Sequence, residues 1–264
     1  MQDNKTAFAL RMLKVSGQDA RAFLQSQLSS DVESADDTFR ATAWCNPKGR
    51  VEGVLLINSR DEIFHLVLPA PIADAVEKRL DLFRIGRRVE IESAGAAQPA
   101  APSNPAAIPL ALDRSRALLA SADDLSPLPS SWLRKDIDRC FPWVLPPTQA
   151  RFLPQMLGLE ALQGLSYRKG CFPGQEVIAR VHYRGRVTQR TARLTFSGAA
   201  PRPGAEIHLA SGTGTILYAV AEREHGDGRD ADEVHRYQAL AVVPADAAAG
   251  EQITDAECTG VLVN

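Results

Sequence analysis

No stretch of 18 or more apolar residues occurs in this 264-residue sequence, so no segment has the length of an apolar bilayer-spanning helix. The opening residues, MQDNKTAFALRMLKV, lack the apolar core and small-residue cleavage site of a secretory signal, and a cytoplasmic protein is expected. Cysteine is scarce. Cys45, Cys140, Cys171 and Cys258 lie far apart, with no CxxC pair for a zinc site or dithiol centre and no call for a disulfide framework. The five histidines show no HExxH spacing, so metal binding is not indicated. A GxxxxGK loop followed by Ser or Thr, a GxGxxG turn and a GxSxG elbow are all missing, which leaves nucleotide-dependent chemistry and a serine hydrolase unsupported. An excess of either charge is missing too. A net charge of −2 argues against a polybasic membrane anchor and against direct nucleic-acid binding.

What is present suffices for a core: 45% hydrophobic residues allow one large domain or two ordinary ones. Within Gly17–Asp31, Ala20, Phe23, Leu24 and Leu28 fall at helical spacing. Strands are predicted at Thr38–Cys45, Arg50–Asn58 and Ile63–Leu68, separated by the turns Asn46–Gly49 and Ser59–Glu62. Pro71 opens a helix to Phe83 with Ile72, Val76, Leu80 and Phe83 on one face, and Val89–Glu92 reads as a short strand. This order describes an α+β layer, a sheet covered on one side by helices. Ala94–Pro109 is rich in Ala and Pro, uncharged and aperiodic, and reads as a linker or mobile loop. Order returns near Leu110 and in an amphipathic piece from Ser131 to Asp138, and Pro154–Leu162 is a further helix candidate. From Thr188 the texture changes to short strands at Thr188–Phe196, Ala205–Leu209, Thr213–Glu222, Val234–Val243 and Glu257–Val263, with a further turn at 225–228. Their spacing suggests a small closed or nearly closed barrel. The expected division is a module at 1–187, with a loop at about 94–130, and a barrel domain at 188–264.

The most particular segment is Arg168–Glu176, RKGCFPGQE. The Lys169 ammonium stands two residues from the Cys171 thiol, and a nearby positive charge lowers a cysteine pKa from its usual value of about 8.5. Gly170 and Gly174 permit backbone conformations closed to other residues. The competing reading is a buried, inert cysteine beside a surface lysine. Gln175 and Glu176 follow the Pro173-Gly174 turn. Residues 177–182 suit either a helix, with Glu176 favoured in its first turn, or a strand, and the turn favours the helix. Between Arg168 and Arg193 also stand Lys169, Arg180, Arg184, Arg186 and Arg190, with Glu176 as the sole carboxylate. Such an excess is a footprint for an anion, or a solvated face whose arginines pair with distant carboxylates. Along the sequence too few aromatics interleave it for a single-strand nucleic-acid platform. Trp132 is either core or a stacking surface for a flat ligand.

Lys169–Arg180, KGCFPGQEVIAR, resembles the KGC(Y/F)xGQE signature of YgfZ-type folate-binding proteins, relatives of the glycine-cleavage aminomethyltransferase. The resemblance takes in Gly17–Asp31, Trp44–Arg50, Phe152–Tyr167 and His182–Arg186, and leaves out 94–130. It implies an α+β, ferredoxin-like or aminomethyltransferase-like N-terminal module with a small C-terminal β-barrel. It also implies a site for tetrahydrofolate or a related folate, and a role in supporting iron–sulfur cluster assembly or repair, including maturation of enzymes that methylthiolate tRNA. Expected partners are the folate and iron–sulfur enzymes or cluster-assembly factors, with no membrane. By matching positions, Lys169 and Cys171 are the functional pair. Trp132 takes the place of a folate-contacting tryptophan, and Gly170, Gly174, Gln175, Glu176 and Arg180 line the ligand. Two departures matter. The aminomethyltransferases carry an Asp-Asp pair where Gly53-Val54 stand here, which tells against aminomethyl transfer, and the region between Glu92 and Trp132 is short for the family. The alternatives are a folate-dependent one-carbon transferase or demethylase, and a protein that binds tRNA directly through its arginine-rich segment.

Overall fold

A computed structural model of the chain describes residues 7–122, 125–222, 235–254 and 258–263. Seven strands form the first sheet: β1 (Leu10–Ser16), β2 (Arg40–Cys45), β3 (Val51–Arg60), β4 (Ile63–Pro69), β5 (Glu90–Ala100), β6 (Ile108–Leu110) and β7 (Asp113–Ser121). They are ordered β2-β3-β4-β1-β5-β7-β6, and every ladder is antiparallel. The β3–β4 hairpin closes on Asp61 and Glu62, both at positive φ, the backbone that a two-residue hairpin turn requires. The sheet curls until its edges touch. Phe39, just before β2, donates its amide to Pro109 at 2.8 Å and accepts from the Ala111 amide at 2.9 Å. The result is a half-barrel with a convex and a concave face.

The convex face is covered by α1 (Ala20–Gln27) and α2 (Ala70–Phe83), whose Phe23, Leu24, Ile72, Val76 and Leu80 pack on Leu55, Ile57, Leu66 and Leu68, whereas Phe83, expected on the same face, is exposed at the helix end. Removal of each such side chain from water contributes about 1.5–3 kcal/mol. The concave face is covered as well, by α3 (Ser130–Asp138), the chain that follows it, and residues of the second sheet, among them Leu217, Tyr218 and Leu240. The expected one-sided layer is thus buried on both faces, which is why β3 reads as a nearly continuous apolar run from Gly53 to Ile57.

The second sheet comprises β8 (Gln189–Gly198), β9 (Glu206–Leu209), β10 (Gly212–Ala221), β11 (Arg236–Pro244), β12 (Gln252–Thr254) and β13 (Cys258–Leu262), ordered β12-β13-β8-β11-β10-β9. Its outermost strands β12 and β9 approach each other, so the barrel is nearly closed around Phe196, Ile216, Ala239 and Leu262. The expected strands from Thr188 onward correspond to β8–β11 and β13, while β12 had no counterpart; Val234, Glu257 and the turn at 225–228 lie outside the described residues.

Three other expectations change. The stretch Ala94–Pro109 is no linker: β5 runs on to Ala100, and β6 and β7 continue the sheet. Pro99 is tolerated because β5 pairs with β1 only as far as Ala96, so beyond it one edge needs no donor. Pro154–Leu162 is a chain of turns rather than a helix, broken at Gly158 with φ of 70°. β1 was not foreseen, because a register shift between Arg11 and Leu13 places Met12 and Leu13 both in the core and spoils the alternation.

Candidate functional site

The signature segment leads into α4 (Gln175–Arg184), so the helical alternative holds. Its turn is built on glycines. Gly174 sits at φ of 80°, and a Cβ there would lie 2.5 Å from backbone atoms of Asn46 and Gly49. A Cβ on Gly49, at φ of 74°, would in turn lie 3.2 Å from Ile178 and 3.3 Å from Val177 and the Gly174 carbonyl. The Asn46–Gly49 turn and the Pro173-Gly174 turn therefore interlock, backbone against backbone. Glu176 lies exposed in the first turn of α4, where the helix dipole favours it.

No hydrogen bond joins Lys169 to Cys171. The Lys169 Nζ donates to three backbone carbonyls, those of Gln25 and Leu28 at 2.5 Å and Ser30 at 3.0 Å, and lies 5.2 Å from the Phe172 ring centroid. These carbonyls belong to the end of α1 and the chain after it, groups a helix leaves without partners of its own. Burial pushes the amine down to about 8, with the Asp31 carboxylate pulling the other way. The Cys171 thiol is exposed and has no side-chain partner among the described residues. The burial is thus the reverse of the inert reading: the lysine is half-buried and the cysteine open to solvent. Gly170 has open space around it, Gln175 Nε2 reaches the Lys169 carbonyl at 3.5 Å, and Arg180 is exposed.

A small pocket of about 20 Å³, partly open to solvent, lies inside the half-barrel at the seam where its edges meet. Phe39, Leu56, Leu110 and Arg116 line it from the sheet, and Trp132, Asp136, Phe141 and Trp143 from α3 and beyond. The Arg116 guanidinium lies 3.8 Å from the Trp132 ring centroid and pairs with Asp136 at 2.8 Å, with Arg116 and Trp132 only 3% and 8% exposed. Asp136 also accepts from Trp143 Nε1 at 2.9 Å. Burial raises the Asp136 carboxyl, while Arg116 and the indole N–H pull it down. Arg116 Nε is buried with no hydrogen-bond partner among the described residues. At the rim, Asp113 pairs with the partly exposed Arg139 at 3.0 Å. Among the sequence candidates Trp132 alone lines this cavity; Lys169, Gly170, Cys171, Gly174, Gln175, Glu176 and Arg180 do not. Arg116 and Asp136 escaped sequence reasoning because one lies in the supposed loop and the other among helix-surface charges. The sole signal was Asp136 four residues after Trp132, hence on the same helical face.

Val54 occupies the concave core, and a Cβ on Gly53 would meet Ile72 of α2. The strand therefore presents no carboxylate at 53 or 54. No helix among the described residues is long and apolar enough to cross a membrane.

Two curled antiparallel sheets, the first enclosing an aromatic-lined pocket, make an aminomethyltransferase-like fold. The chain superposes on the glycine cleavage system aminomethyltransferase T of Bartonella henselae with a TM-score of 0.61, over 98% of this chain and 86% of that one, at 15% identity. No family model matches the sequence. It is 32% identical over 239 residues to an uncharacterized protein of Haemophilus influenzae, covering 80% of this chain and 81% of that protein. It is 27% identical over 254 residues to the tRNA-modifying protein YgfZ of Klebsiella pneumoniae, covering 78% and 77%. The YgfZ of Pectobacterium carotovorum is 28% identical over 259 residues, covering 80% and 77%. The chain belongs to the family of YgfZ-type proteins, structurally related to the glycine-cleavage aminomethyltransferases.

Proposed function

We propose that this cytoplasmic protein binds tetrahydrofolate or a related folate and acts as an accessory factor in iron–sulfur cluster assembly or repair, serving enzymes that modify tRNA. The observation that carries the folate half is the buried Arg116 laid on Trp132 with its Nε unanswered. A flat heterocycle rich in carbonyl and ring-nitrogen acceptors supplies what that donor lacks, and its N–H edge suits the carboxylates of Asp136 and Asp113. The pocket as it stands encloses about 20 Å³, the space of one water, so a bicyclic ring enters as the lining side chains move apart, with the acidic tail left outside near Arg139. Trp132, Arg116 and Asp136 would hold the ring, and the folate, when bound, supplies a one-carbon carrier. Cys171 faces solvent and lies outside the cavity lining, so its thiol is presented to a partner protein or its cluster.

The alternative, a one-carbon transferase or demethylase, draws on the fold alone and lacks a carboxylate at 53 or 54. Calorimetric titration with tetrahydrofolate tests the binding: saturable heat is expected, and none from well-folded protein would end the folate reading. Turnover of methyl- or methylene-tetrahydrofolate by purified protein would move the conclusion to the transferase.

A further inference from the structure

The surface around α4 carries both charge and aromatic rings that the folate cavity does not use. Arg168, Arg180, Arg184 and Arg186 are all exposed, and none forms an ion pair with any described residue. Their reading as a solvated face balanced by distant carboxylates therefore does not hold for these four. Glu176 on the same helix lies four residues before Arg180 without bridging to it.

Beside them the fold assembles a ladder of rings that sequence spacing hides. Tyr167 comes from the turns before the signature segment, and His182 and Tyr183 from the end of α4. Tyr167 and His182 stack with centroids 3.8 Å apart and planes 23° apart, and Tyr183 meets His182 edge-on at 4.7 Å. Glu160 fixes the stack, accepting from Tyr167 Oη at 2.5 Å and bonding His182 Nδ1 at 3.1 Å. Gln155 also donates to Tyr167 Oη at 3.2 Å. The Tyr183 ring at the end of the ladder is 69% exposed.

Large exposed rings held in place amid unpaired guanidinium groups match the two needs of an unpaired nucleotide, a stacking surface for its base and cations for its phosphates. We propose that this face docks a single-stranded segment of RNA, with a base on Tyr183 and His182 and the backbone along Arg180, Arg184 and Arg186. An acidic protein would use the cations but has no need of the ordered rings. The proposal rests on a surface separate from the folate cavity, and its assay contains no folate, so either can fail alone.

The test is fluorescence anisotropy with a labelled tRNA transcript. Affinity should fall steeply between about 50 and 200 mM salt as phosphate contacts are lost. Tyr183→Ala should weaken binding about fivefold to a hundredfold, with Tyr183→Trp restoring it. The pair R180E/R184E should weaken it about tenfold or more, while R202E, a reversal at an exposed arginine in the connection between β8 and β9, leaves it within about twofold. All are surface changes, and circular dichroism checks that each variant is folded. No binding at low salt, equal loss with R202E, or unchanged binding by Tyr183→Ala would overturn the proposal. Competition by polyglutamate as effective as by unlabelled tRNA would overturn it in favour of an acidic protein partner.

Discussion

The half-barrel cavity and the signature loop use their charged groups in opposite ways. Around the cavity, Arg116, Asp136 and Trp132 are buried and answer one another, with Arg116 Nε left without a hydrogen-bond partner. In the loop, Lys169 spends its ammonium on the carbonyls of the α1 terminus and Cys171 is left exposed. A residue in a distinctive motif can thus be held by backbone carbonyls, while a buried cation short of partners can sit where the sequence looks featureless. The comparison predicts that damage to the cavity costs stability and ligand together, damage at Lys169 costs stability first, and damage at Cys171 costs neither.

The largest effect is expected from Arg116→Met, which strands Asp136 in an apolar setting. It should lower the unfolding free energy by about 3–5 kcal/mol, and Arg116→Met with Asp136→Leu should recover much of that. A denaturant midpoint that barely moves would show that the pair is not buried as described. Lys169→Met follows at about 2–4 kcal/mol, because three carbonyls lose a charged donor. Equal stability of Lys169→Met and wild type, with loss of client-enzyme support, would return the lysine to a chemical role. Gly174→Ala should cost about 2 kcal/mol or more, since both its φ and the Asn46–Gly49 backbone oppose a Cβ. Thermal melting of that variant checks whether the two turns interlock. Cys171→Ser should stay within about 0.5 kcal/mol of wild type, as expected for an exposed side chain. Its support of cluster-dependent enzymes should nevertheless fall, and undiminished support would make the thiol dispensable.

Much of the architecture was legible because its periodicity was clean. α1, α2, α3 and the hairpin at Asp61-Glu62 follow from spacing and turn chemistry. The failures have local causes. Ala-rich β5 carries too little apolar contrast to announce a strand, and the register shift in β1 erases its alternation. In the site, Trp132 was legible as either a core ring or a stacking surface, and the guanidinium laid on it was not. Arg116 reaches Trp132 only because the supposed loop is strand β7, which brings residues 116 and 132 across the half-barrel. The rings of Tyr167 and His182 likewise meet through a tertiary turn that no linear window contains.

The most direct test of the central claim, that the folate ring belongs to the Trp132–Arg116 cavity and not to the signature loop, is tetrahydrofolate titration calorimetry on wild type, Trp132→Phe and Cys171→Ala. Equal binding by wild type and Cys171→Ala, with Trp132→Phe folded but about tenfold weaker, is the predicted result. Weakened binding in Cys171→Ala with Trp132→Phe unaffected would contradict it.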